Sequence, residues 1–123
     1  MALNFSNDKP IFEQIIDYIV MKISTNEYAQ DERILSVRDY ALQLGVNPNT
    51  VQRALTELER VGVLYSRRGE GRFVGNVQLA KDMRIKVAKE RASAFFNEML
   101  RMGYSAEQAF EILKEVGNGN SSN

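Results

Sequence analysis

The chain has 123 residues, 44% of them apolar and 26% charged, which suits one ordinary domain with a buried core rather than a disordered segment. Its 16 basic and 16 acidic residues cancel, so a nonspecific polyanion binder is disfavoured while a locally basic surface stays possible. With no Cys and no His, thiolate zinc sites, disulfides, Cys nucleophiles and His general bases are all excluded.

The opening "MALNFSNDKPIFEQ" lacks the basic start and apolar run of a signal peptide. No apolar stretch approaches the roughly 20 residues of a membrane span. These features predict a cytoplasmic protein with no membrane partner. Residues 10–26 predict a first helix, opened by Pro10 and striped by Ile11, Phe12, Ile15, Ile16, Ile19, Val20 and Ile23. Residues 36–44 predict a second, capped by Ser36 and closed by Gly45, with Val37, Tyr40, Ala41 and Leu44 inward. Residues 48–61 predict a third. Asn47 caps it, Pro48 is its first helical residue, and Val51, Ala54, Leu55, Leu58 and Val61 form its apolar stripe. "VLYSRRGEGRFV" then predicts a hairpin, because two short β-like runs flank Gly69-Glu70-Gly71.

A long helix is predicted over 78–102, with Ile85, Ala88, Ala92, Phe95, Phe96, Met99 and Met102 on one face, stopped by Gly103. A last helix starts at Ser105, with Gln108 in the capping-box position and Ala106, Ala109, Phe110, Leu113 and Val116 as its stripe. The tail 118–123 is expected to be disordered. The predicted fold is therefore mainly α with a small β-hairpin (α+β): a first domain over 1–75, then a two-helix region over 76–117.

The third helix carries the functional signal. At about 100° per residue, Gln52, Arg53, Thr56 and Arg60 fall within about 60° of Asn49, opposite the apolar stripe. Gln and Asn pair with adenine edges and Arg with guanine, and the start of a recognition helix reaches deepest into a major groove. A solvated polar face is the bland alternative. Two neighbours favour DNA: Arg38 stands early in the second helix, and four Arg against one Glu between Arg60 and Arg72 give a local charge of +3. Gly69 and Gly71 are first of all turn residues. "RRGEGR" is no phosphate-binding P-loop, since no Gly-Lys-Ser/Thr follows. No catalytic constellation is visible, so an enzyme is not expected, nor a metal or cofactor.

"LSVRDYALQLGVNPNTVQRALTELERVGVLYSRRGEGRFV", Leu35 to Val74, resembles the winged helix-turn-helix signature of the GntR family of bacterial transcription regulators. "KPIFEQIIDYI" resembles that family's first helix. The resemblance implies DNA contacts from Ser36 and Arg38, from Asn47, Asn49, Thr50, Gln52 and Arg53, and from the wing tip, Arg68, Gly69, Gly71 and Arg72. Many members have Pro where Leu35 stands, Arg where Gln52 stands, and an uncharged or basic residue in place of Glu70. The short C-terminal part resembles the YtrA-like subfamily, whose two last helices dimerise. This implies a homodimer formed through Ala88, Ala92, Phe95, Phe96, Met99, Phe110 and Leu113. It also implies a repressor of double-stranded operator DNA bearing an inverted repeat. The apolar faces support dimerisation independently, because two lone helices cannot bury them. A small-molecule effector is left open, and two helices do not readily enclose a pocket of about 300 Å³. The alternative is a winged-helix protein-interaction module without specific DNA binding.

Overall fold

In the computed structural model, which describes residues 5–121, the order is α1 (Ile11–Ser24), α2 (Val37–Leu44), α3 (Pro48–Val61), β1 (Leu64–Arg67), β2 (Gly71–Val74), α4 (Val77–Arg101) and α5 (Ala106–Ser121). The predicted elements are all present, with ends shifted by one or two residues where caps rather than helical turns stand, apart from the end of α5, which runs further. Ser36 accepts a hydrogen bond from the Asp39 N–H at 3.1 Å, and Gly45 closes α2 in the left-handed conformation at φ 69°. Asn47 caps α3 by accepting from the Asn49 N–H at 2.8 Å. The capping box of α5 is complete: Gln108 N–H donates to Ser105 Oγ at 3.1 Å, and Ser105 N–H donates to Gln108 Oε1 at 2.8 Å.

The chain divides into two compact units, residues 1–85 and 86–123. The first extends beyond the expected boundary at residue 75 because the start of α4 belongs to its core. Ala80 is fully buried, and Val77, Leu79 and Met83 pack against the same cluster. That cluster is built from the inward stripes of α1 (Ile15, Ile19, Ile23), α2 (Tyr40, Leu44) and α3 (Val51, Leu55, Leu58), closed by Val63, Leu64 and Val74 from the hairpin. Tyr40 is fully enclosed, and its hydroxyl meets that of Tyr28 at 2.7 Å, so this core polar group is satisfied.

The hairpin pairs β1 and β2 antiparallel, with Leu64 opposite Val74, Tyr65 opposite Phe73, Ser66 opposite Arg72 and Arg67 opposite Gly71. A third segment joins it. Arg33 bridges Phe73, flanked by Ile34 N–H to Arg72 O at 3.0 Å and Val74 N–H to Glu32 O at 2.9 Å. In the second unit, Ala109 is buried, while Leu100, Met102, Phe110, Leu113 and Val116 are exposed. The tail expected over 118–123 is helical as far as Ser121, and residues 122–123 lie outside the described residues. Once a helix is nucleated, each added residue contributes a hydrogen bond, so α5 runs through Gly117 and Gly119 despite their poor propensity.

Candidate nucleic-acid interface

The turn Gly45-Val46 joins α2 to α3, and the apolar stripe of α3 fixes which side of that helix faces out. Burying Val51, Ala54, Leu55 and Leu58 leaves Asn49, Gln52, Arg53 and Thr56 exposed, as the 100° rotation requires. Gln52 is held by a bond from its side-chain amide to Thr56 Oγ1 at 3.2 Å, one turn on. Thr50 is half-buried. Ser36 and Asn47 have their side-chain oxygens engaged as caps, while the Ser36 hydroxyl proton is free to be donated outward. Arg38 is exposed at the start of α2.

Arg53 has a support that the periodicity concealed. Its guanidinium carbon lies 3.7 Å from the centre of the Phe12 ring, a close cation–π stack between α3 and α1. Stacking occupies one face of the guanidinium and leaves the N–H groups on its edge, where they donate in plane. Phe12 reads in the sequence as a core residue of the α1 stripe. It is half-buried and serves both the core and Arg53.

Arg60, on the same face of α3, is engaged elsewhere. Its Nε donates to Glu57 Oε1 at 2.9 Å, and this bond holds the Glu57 carboxyl below the ordinary carboxylate range. Arg60 therefore adds little positive charge to the outward face.

The hairpin has two differently used faces, because alternate residues point to opposite sides. On the side toward α3, Arg72 and Ser66 converge on one carboxylate oxygen of Glu59: Arg72 Nε donates to it, and so does Ser66 Oγ, at 2.8 Å. Burial pushes the Glu59 carboxyl up, but the bonds from Arg72 and Ser66 and the Arg72 charge outweigh it, so the group lies below its ordinary value. Arg72, expected among the wing contacts, is thus bound within the protein and fastens the wing to the recognition helix. Composition gave no sign of this, because Glu59 and Arg72 are thirteen residues apart.

On the outer side, the Tyr65 and Phe73 rings stack with centres 5.7 Å apart, and the Arg67 guanidinium lies 4.7 Å from the Phe73 ring centre. Arg68 and Glu70 are exposed in the turn with Gly69, whose φ of 77° suits glycine. Arg33, which carried no signal in the sequence, lies beside Gly71 on this outer side.

In the second unit, α4 and α5 form an open groove lined by Phe96, Tyr104, Ala106, Gln108, Phe110 and Ile112. Phe95, Phe96 and Met99 are half-buried, Ala88 and Ala92 exposed. No cluster of His, Cys, Asp and Glu among the described residues has the make-up of a metal site, and none of their helices is long and apolar enough to cross a membrane.

The family model described as "Bacterial regulatory proteins, gntR family" matches residues 11–74. The uncharacterized HTH-type transcriptional regulator YhcF of Bacillus subtilis (strain 168) is 34% identical over 120 residues, covering 97% of this chain and 99% of that protein. The HTH-type transcriptional repressor YtrA of the same organism is 29% identical over 109 residues, covering 87% of this chain and 84% of YtrA. Among solved structures, a GntR family transcriptional regulator from Listeria monocytogenes superposes with a TM-score of 0.79 at 35% identity, covering 90% of this chain and 98% of that one. The DNA-binding domain of AraR, in complex with operator ORX1, matches with a TM-score of 0.56 at 26% identity, over 61% of this chain and 95% of that one. The chain thus belongs to the GntR family, among its short YtrA-like members, and is a transcriptional regulator with a winged helix-turn-helix DNA-binding domain.

Proposed function

We propose that this regulator is a homodimeric repressor that occupies an inverted-repeat operator. Each copy sets α3 in a major groove, where Asn49, Thr50, Gln52 and Arg53 meet base edges and nearby phosphates. Ser36, Arg38 and Asn47 hold the backbone beside it, and the wing turn with Arg68, Gly69 and Gly71 follows the groove's edge. Arg72 acts from within, as the fastening of the wing to α3. The observation that carries this reading is the outward row on α3: exposed base-reading side chains, the cation among them already stacked on Phe12. A relative's domain in complex with its operator supports the same use of the fold.

The dimer forms through the second unit, with Ala88, Ala92, Phe95, Phe96, Met99, Phe110 and Leu113 facing a second copy. The exposed apolar side chains of α4 and α5 support this, because a single chain leaves them in water. Selection of genomic fragments by the purified protein, with footprinting at two salt concentrations, tests the reading. A short inverted repeat protected by a dimer and released at higher salt is the expected result. On that operator, Arg53→Ala keeps fold and dimer and weakens binding by about 1–3 kcal/mol. Unchanged affinity would remove Arg53 from the recognition row.

A further inference from the structure

Arg33 lies outside the helix-turn-helix, in the segment that joins α1 to α2, yet the fold delivers it to the wing. Its isolated antiparallel bridge to Phe73 lays the segment around residue 33 along β2. Paired residues of adjacent strands share a face, so Arg33, Phe73, Tyr65 and Arg67 stand on the outer side, away from the Glu59 junction. The Arg33 side chain then runs toward the wing turn. Its Nε lies 3.1 Å, and its Nη2 3.6 Å, from where a β-carbon on residue 71 would be. Only glycine leaves that space open, and Gly71 is itself the cross-strand partner of Arg67. The Arg33 guanidinium thus lies against Gly71, while that of Arg67 lies over the neighbouring Phe73 ring and donates to the Tyr65 hydroxyl at 3.3 Å.

The neighbouring carboxylates each accept from a neutral donor, keep their charge, and make no ion pair with Arg33. Asp31 accepts from the Tyr65 hydroxyl at 2.8 Å, and Glu32 accepts from the Ala29 N–H at 2.8 Å. Among the described residues, Arg33 is in no ion pair, whereas Arg72 is bound to Glu59. Of the turn's own charges, Arg68 offsets Glu70, and Arg33 and Arg67 are the cations that stand on the outer side beside Gly71.

We infer that Arg33 is a DNA-backbone contact of this protein: with Arg67 it forms an anion site beside Gly71 that takes one phosphate of the duplex, while Arg72 is paired with Glu59. The inference rests on the DNA-binding reading above. A contact of this kind adds affinity without reading sequence and releases counterions on binding.

The test compares the wild type with Arg33→Gln, Arg33→Lys and Arg72→Gln, each checked for thermal stability. Binding is measured across a salt series on two duplexes of equal length, one from the genomic selection and one scrambled. Arg33→Gln is expected to weaken both duplexes alike and to make the slope of log K against log salt shallower by about 1.8 for the dimer, the share of one phosphate from each copy. Arg33→Lys keeps the charge and restores the slope. Arg72→Gln lowers the melting temperature and leaves the slope as it was. If Arg33→Gln binds with the wild-type slope, or if Arg72→Gln alone flattens it, Arg33 is not the contact. If the wild type shows no salt-dependent binding to either duplex, the DNA-binding reading falls first and this inference with it.

Discussion

In the winged unit, Ile15, Ile19, Leu55 and Leu58 have no exposed surface; in the second unit, Phe110 is 50% exposed, Leu113 44% and Val116 55%. Both sets recur at helical spacing and read alike in the sequence. The difference is what lies opposite. In the first 85 residues, three helices and a hairpin present their stripes to one another, so each apolar residue finds a surface within its own chain. After Lys86 there are only the rest of α4 and α5, and one helix pair covers little beyond Ala109. Periodicity states which residues avoid water. It does not state whether the chain itself or a second copy keeps them from it.

Substitutions sharpen that contrast. Leu55→Ala removes a fully enclosed side chain from the middle of α3 and leaves a cavity, at a cost of about 2–5 kcal/mol. Thermal or denaturant unfolding should report it at any protein concentration. Phe110→Glu is expected to act differently. On an exposed position it leaves the winged unit folded, with its melting transition near the wild type's, but a charge at the proposed dimer surface should yield a monomer by sedimentation. Operator affinity then falls by about a hundredfold or more, because two half-sites are no longer held by linked domains. A Phe110→Glu protein that stays dimeric would place the interface elsewhere. One that unfolds throughout would mean that the second unit supports the first.

The elements of the winged unit were legible because local chemistry and tertiary packing agree there: Asn47-Pro48 starts a helix, Gly45 and Gly62 end helices, and the stripes point to one core. The outward row on α3 was legible for the same reason, since fixing the buried face fixes the other. What was not legible depends on contacts between distant residues. The Phe12–Arg53 stack joins α1 to α3, and no spacing rule connects them. Arg33 sits in a segment without periodicity, and its place beside Gly71 follows from a strand bridge across forty residues of chain. Arg72 was read by its position in the motif, and no spacing rule pairs it with Glu59. The extent of the first unit was missed because α4 is one continuous helix, and only packing shows that Ala80 belongs to the core before it.

The smallest expected effect concerns how the wing is held to the recognition helix. Glu59 lies below its ordinary value of 4.5, since the bonds from Arg72 and Ser66 outweigh the cost of burial. A carboxyl depressed on folding stabilises the folded state above its unfolded value and loses that contribution as pH falls through the folded one. Glu59→Gln keeps the shape but gives up the charge. Near neutral pH it is expected to melt below the wild type by an amount corresponding to at most about 1 kcal/mol, since the pair is only partly buried. Well below pH 4.5, where the wild-type carboxyl is also neutral, the two melting temperatures should converge. The comparison separates the two faces of the wing. If the gap stays constant with pH, the Glu59 charge is not what fastens the wing, and Arg72 is then released to join Arg33 and Arg67 among the cations that meet DNA.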